Sequence, residues 1–528
     1  MSEQLSKLIN LINSNNFQQA EKEVKQEIAL DPDNFNLNKI LGISLLAQKK
    51  YNSALPVFNK CYNIKKDDYD VNVNISYIFL KIQEYEMVIK FANEALIANK
   101  DGASAYQNLA ACYLALRKFD KAENYAFNSI NLRGGMASRE VLQLSDLINI
   151  YADTLIAQNK NSEFIDFAKK ILDSGSYQAD LFKKLMRNNK DNIEQRYVDV
   201  IEDMLNNKDQ FSNLLHKNSF CASAHFCLGE YYSKVDQGKS EENFILANKY
   251  ISDMQRTSLF KRQKMYLNIF NFFKTFDQSE ILKKIPSEKG AGLIFITGMP
   301  RSGTTLTESI LATSPDVIAG GERVFFPINL EPLTNNLEKH KFEFKFFADL
   351  GDRYLKNIEI HREQKKFFVD KLPENYLYYK FIKLALPGAK FIHLKRDPWD
   401  NAISLFKEFY AETVSFASSF FGIALEMANH DFITDFWKKQ NDDIIHTVNY
   451  EDLVSNTDKT VDEMWSFCQL GGKYNPDDRK NHFAATASKQ QVNQEIFKSS
   501  MKKQEFLEYR EKFYEDLSDQ KKYLELKV

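Results

Sequence analysis

Residues 292–322 read GLIFITGMPRSGTTLTESILATSPDVIAGGE. The apolar run Leu293-Ile294-Phe295-Ile296 is too short for a helix and suits a strand buried on both faces. Gly298-Met299-Pro300-Arg301-Ser302-Gly303-Thr304-Thr305 follows, after which Leu306, Ile310 and Leu311 fall at helical spacing. Strand, Gly-rich turn and helix aim backbone N–H groups and a helix N-terminus at an anion. The loop departs from the nucleoside-triphosphate pattern, which needs Lys after its last Gly to reach the β- and γ-phosphates. Here Thr304 follows Gly303, and the cation, Arg301, comes earlier.

A chain of 528 residues is too long for one core and predicts about three or four domains, or one repeat array plus a domain. Apolar content of 44% and aromatic content of 13% are ample for packed cores. Seventy basic against 72 acidic residues leave a net charge of −2, which argues against a general nucleic-acid binder. With 56 Lys and only 14 Arg, the arginines are worth locating one by one. Five scattered cysteines without a CxxC pair suggest reduced, buried thiols in a cytoplasmic protein. The N-terminus lacks the apolar core of a signal peptide, and no run of ~18 apolar residues occurs, so no membrane span is expected.

The N-terminal half repeats. Phe17, Tyr51, Tyr85 and Phe119 are each 34 positions apart, and so are Ala20, Ala54, Val88 and Ala122. That period, with a small residue letting two helices touch beside an aromatic, matches the tetratricopeptide helix hairpin. Residues 1–135 are therefore expected to be tetratricopeptide repeats, and 136–285 a degenerate continuation that includes a hairpin over His225–Ile251. Such arrays bind extended peptides or dock a neighbouring domain. Ile285–Gly290 is rich in turn formers and reads as the linker to a third region, 290–528.

That region alternates strands and helices, which predicts an α/β domain with a parallel sheet. Phe367-Phe368-Val369 reads as a second strand ending in Asp370-Lys371, and a Lys there points into the crevice where parallel sheets bind ligands. Ala389–Lys395 is a third strand ending at Arg396, with Pro398 suited to the first turn of a helix through Ser404. Ile444–Asn449 is a fourth strand, leading into Tyr450. His393 sits inside an apolar strand and reads as core.

Pro-Arg-Ser-Gly-Thr-Thr after a strand resembles the 5′-phosphosulfate loop of sulfotransferases that use 3′-phosphoadenosine-5′-phosphosulfate (PAPS). With Glu322 at 21 residues past Arg301, it is similar to the tyrosylprotein sulfotransferases and their bacterial relatives carrying tetratricopeptide repeats. The resemblance implies that Arg301, Ser302, Gly303, Thr304 and Thr305 hold the phosphosulfate, while Lys371 faces the sulfuryl group. It makes Glu322 the base that takes the acceptor proton. Arg396 and Ser404, eight apart, would grip the 3′-phosphate, Tyr450 would border the adenosine, and Ser488 belongs to the segment closing over the nucleotide. The chain departs from the family at Val324 and Asn493, where relatives carry Arg.

The implied reaction moves a sulfuryl group from PAPS to a hydroxyl, leaves 3′-phosphoadenosine-5′-phosphate and needs no metal. A protein or peptide tyrosine presented by the repeats is one acceptor; saccharides and small alcohols stay open. A repeat scaffold that binds nucleotide without catalysis is the rival. A kinase or hydrolase is disfavoured by the missing Lys after Gly303.

Overall fold

The computed structural model describes residues 3–174, 179–188, 194–208, 214–254, 259–362, 364–410, 414–440, 444–476 and 504–527. It divides into two compact units, Met1–Leu181 and Phe182–Val528.

The first unit is a helical repeat array. Each of the four aromatics at period 34 opens a helix: Phe17–Ile28, Tyr51–Ile64, Tyr85–Ala98 and Phe119–Leu132. The small residues three positions on, Ala20, Ala54, Val88 and Ala122, are fully buried. Gly42 shows how close the helices run, because a Cβ there would stand 2.7 Å from the Phe58 ring. The repeat also reaches the turns: Asn15, Lys49, Gln83 and Arg117 all take left-handed φ near 58–60°. Each reverses the chain between the two helices of a hairpin. Beyond Gly134 and Gly135, both at positive φ, the short helix Arg139–Leu142 leads into Ser145–Ala157 and Asn161–Asp173. A cleft of about 590 Å³ is lined by Ile12, Phe17, Ile43, Leu46, Tyr51 and Tyr77.

The second unit is built on a five-stranded, all-parallel sheet in the order β2-β3-β1-β4-β5. The strands are β1 (Leu293–Gly298), β2 (Val317–Ala319), β3 (Phe367–Asp370), β4 (Lys390–Lys395) and β5 (Ile445–Asn449). Every residue of β1 is buried, as the apolar run predicts. Ile294 and Ile296 enter a core with Ile310, Val369, Ile392 and Met464 on one face. Leu293 and Phe295 enter an aromatic core with Phe326, Tyr354, Phe368 and Phe391 on the other. The sequence expectation of four strands missed β2, which has only three residues and pairs with β3 alone, too little for a periodicity signal.

The boundary between the units falls at 181/182, within helix Ala179–Asn188. The reason is apolar burial. Phe226, Phe244 and Ile251 of the hairpin Leu214–Tyr232/Gln237–Met254 share a core with Trp399, Phe406, Phe420 and Phe513. Helix Leu259–Thr275 sends Phe270 against Phe436 and Phe273 against Trp437. The last helix, Leu507–Glu525, docks through Phe513 on Trp399, with Phe506 just ahead of it on Phe406.

Candidate active site

Strand order reverses around β1, so its C-terminal end opens into the crevice where parallel sheets take ligands. Met299–Gly303 fills that end, and Gly303 caps helix Thr304–Leu311 at φ 105°. Both flanking glycines are sterically required. A Cβ on Gly298 would meet the Leu394 carbonyl at 2.6 Å and Ser302 Oγ at 2.8 Å, and one on Gly303 would meet the Tyr450 ring at 2.5 Å. Arg301 itself adopts φ +66°, a strained conformation for a non-glycine residue. Neighbours hold it there. Arg396 Nη1 donates to the Arg301 carbonyl at 2.8 Å, and Asn401 Nδ2 donates to the Pro300 carbonyl at 2.9 Å.

Around this loop, Arg301 Nε donates to Ser404 Oγ at 3.1 Å, and the Arg396 guanidinium lies 4.5 Å over the Tyr450 ring. Thus Arg301, Arg396, Ser404 and Tyr450, scattered over 150 positions of sequence, meet at the ends of β1, β4 and β5. Burial and the nearby Arg301 push the Arg396 pKa below its ordinary value, an environment that a bound anion would relieve. Ser302 Oγ is buried and has no hydrogen-bond partner among the described residues. A buried hydroxyl in that state just ahead of a helix N-terminus fits a phosphate or sulfate oxygen. Ser488 lies outside the described residues.

Glu322 and Lys371 meet on the other side of β1. Lys371 Nζ donates to Glu322 Oε1 at 2.5 Å; the Lys side chain is 1% exposed and that of Glu322 45%. The backbone is tied at Lys371 and at Gly321, just before Glu322. Lys371 N donates to the Gly321 carbonyl, and Gly321 N donates to the buried Glu308 carboxylate, each at 2.9 Å. Beneath them lies a polar cluster that sequence reasoning missed. Asp370 accepts from Tyr354 Oη at 2.7 Å and from Asn375 Nδ2 at 3.2 Å, while Arg323 donates to Asn357 Oδ1 at 2.9 Å. Burial pushes the Asp370 carboxyl up to about 7. An arginine immediately after Glu322, in a chain with only 14, was the available signal for Arg323.

The segment after Lys371 is anchored in turn. Glu426 accepts from Tyr266 Oη at 2.6 Å and from Arg262 Nε at 2.7 Å, and Tyr376 Oη lies 2.7 Å from Tyr266 Oη. Helix Leu259–Thr275 thereby fixes the turn that carries Lys371 to the sheet edge. His393 is core, as expected: it is 3% exposed, beside Thr297, and its ring stacks on His430.

Residues 294–473 match the model of the sulfotransferase family. This stretch is a sulfotransferase-family domain. It holds Arg301, Glu322, Lys371, Arg396, Ser404 and Tyr450 together. The chain is similar to a protein of Aquifex aeolicus (strain VF5) without assigned function, 29% identical over 309 residues, which are 53% of this chain. It is also similar to a Caenorhabditis briggsae protein provisionally named as a protein-tyrosine sulfotransferase, 34% identical over 110 residues, or 20% of this chain. Each match takes in 39% of the relative's own length.

Among solved structures, the sulfotransferase domain of the Synechococcus PCC 7002 olefin synthase is matched over 45% of this chain and 96% of its own, at 16% identity and TM-score 0.30. A tetratricopeptide repeat protein from Parabacteroides merdae ATCC 43184 is matched over 47% of this chain and 92% of its own, at 15% identity and TM-score 0.34. Among the described residues, no helix is long and apolar enough to cross a membrane.

Proposed function

We propose that the domain moves a sulfuryl group from PAPS to an acceptor hydroxyl. What supports this reading is the placement of two groups of residues after neighbouring parallel strands: the Gly298–Gly303 loop after β1, and a carboxylate–ammonium pair 2.5 Å apart after β3. Arg396 and Ser404 grip the 3′-phosphate, the former able to do so through two N–H groups. Backbone N–H groups of the loop, with Ser302, Thr304 and Thr305, hold the 5′-phosphosulfate against the helix N-terminus.

Glu322, partly open to solvent, takes the acceptor proton as the acceptor oxygen bonds to sulfur. The bond from sulfur to the bridging oxygen breaks, and Lys371 and Arg301 neutralise the charge that grows on the departing phosphate. The proton ends on Glu322, and 3′-phosphoadenosine-5′-phosphate leaves. A protein or peptide tyrosine is the acceptor we favour. A helical repeat array with an aromatic-lined cleft suits extended chains, and the Caenorhabditis briggsae relative carries that name.

Calorimetric titration tests this with 3′-phosphoadenosine-5′-phosphate and, separately, with ADP plus Mg²⁺. Tight binding of the 3′-phosphorylated nucleotide, weakened by Arg396→Ala, is the expected result. A preference for ADP, or no binding of either, would sink the sulfotransferase reading.

A further inference from the structure

Glu408 sits four residues past Ser404, two beyond the helix Pro398–Phe406, and its side chain is 4% exposed. A carboxylate this buried is costly unless it is paired. Three cations meet it. Lys183 donates to its Oε1, Arg187 Nη2 lies 3.2 Å from its Oε2, and Arg301 Nη1 lies 3.9 Å from that same oxygen. Arg187 Nη2 also reaches Glu230 Oε1 at 2.8 Å. Lys183 and Arg187 are one turn apart on helix Ala179–Asn188, more than a hundred residues ahead of the cradle. The Arg301 guanidinium thus has two fixed points, Ser404 on Nε and Glu408 beside Nη1.

We propose that Glu408 is a positioning residue for Arg301, and that Lys183 and Arg187 complete the donor site by holding Glu408 in place. The proposal rests on the sulfuryl-transfer reading. Lys183 and Arg187 offset the charge of Glu408, which would otherwise compete with the donor's phosphosulfate for Arg301. The cations also hold the Glu408 carboxyl down at about 2, so it carries its charge throughout the working pH range. The helical stretch ahead of the sheet is therefore part of the chemistry and not only a support for it.

The test compares turnover with affinity for 3′-phosphoadenosine-5′-phosphate in the full chain. Glu408→Gln is expected to lower kcat by a factor of about 10 or more while nucleotide affinity stays within about threefold, the mark of an interaction made in the transition state. A merely structural role would lower both together. Lys183→Met with Arg187→Met leaves Glu408 to Arg301 alone and is expected to weaken nucleotide binding by about tenfold. Adding Glu408→Gln to that pair is expected to restore it, a coupling that independent sites do not show.

Unchanged turnover in Glu408→Gln overturns the proposal, and so does a binding loss that persists in the triple variant. If Glu408→Gln fails to fold, the Lys183/Arg187 pair decides alone, and undiminished affinity overturns it. Wild-type protein is the control: if it binds no 3′-phosphorylated nucleotide, the sulfotransferase reading has failed before the clamp is tested.

Discussion

Lys371→Met separates catalysis from folding. The side chain is 1% exposed and its partner, Glu322, is 45% exposed. Methionine preserves most of the buried volume, and the freed carboxylate can be hydrated where it stands. A pair with one partner this open to water contributes at most about 1 kcal/mol to stability. For a unit of this size, Phe182–Val528, that is a fall in Tm of about 1–2 °C. Turnover should respond far more strongly. Removing one preorganised donor from developing charge costs about 10²–10³ in kcat, or roughly 2.7–4 kcal/mol. The product nucleotide keeps the phosphate that Lys371 faces, so its affinity should fall as well, but by about tenfold at most and so by less than turnover. The measurements are release of 3′-phosphoadenosine-5′-phosphate with a phenol acceptor, thermal melting and calorimetry. A kcat within threefold of wild type would refute the role given to Lys371. A fall in Tm beyond about 10 °C would show instead that its buried ammonium supports the fold.

Gly303→Ala puts a Cβ 2.5 Å from the Tyr450 ring at φ 105°, so nucleotide binding should fall by about tenfold or more and Tm by several degrees; wild-type binding would show that the cradle is not formed as described. Asp370 is protonated in the fold below about 7 but ionised in the unfolded chain above its ordinary value near 3.8. Stability should therefore decline as pH rises from about 4 to 7, by up to about 4 kcal/mol, and Asp370→Asn should flatten that slope in denaturant titrations. Gly42→Ala forces a contact with the Phe58 ring 2.7 Å away and should lower the melting temperature of the repeat unit, with turnover on a small phenol unchanged.

Much of the architecture was legible in local pattern. A 34-residue period named the repeats because each hairpin must bury the same small residue against the same aromatic, and that constraint recurs in Ala20, Ala54, Val88 and Ala122. The apolar run at 293–296 marked a strand because both its faces are covered, by two different cores. The short β2 was not legible, since three edge residues carry no period.

For the site, sequence determined the residue types at strand ends: Arg301, Lys371 and Arg396 each follow an apolar run, and a parallel sheet brings such ends to one edge. Tertiary structure alone decided which of them meet. It set Lys371 on Glu322 and Arg396 beside Arg301, and buried Asp370 against Tyr354 and Asn375. It also brought Lys183 and Arg187 from a distant helix to Glu408. Such meetings join residues fifty to more than two hundred positions apart, and no local periodicity encodes them. They follow from how the helices between strands pack on the sheet, a property of side-chain volumes and burial that only the folded chain expresses.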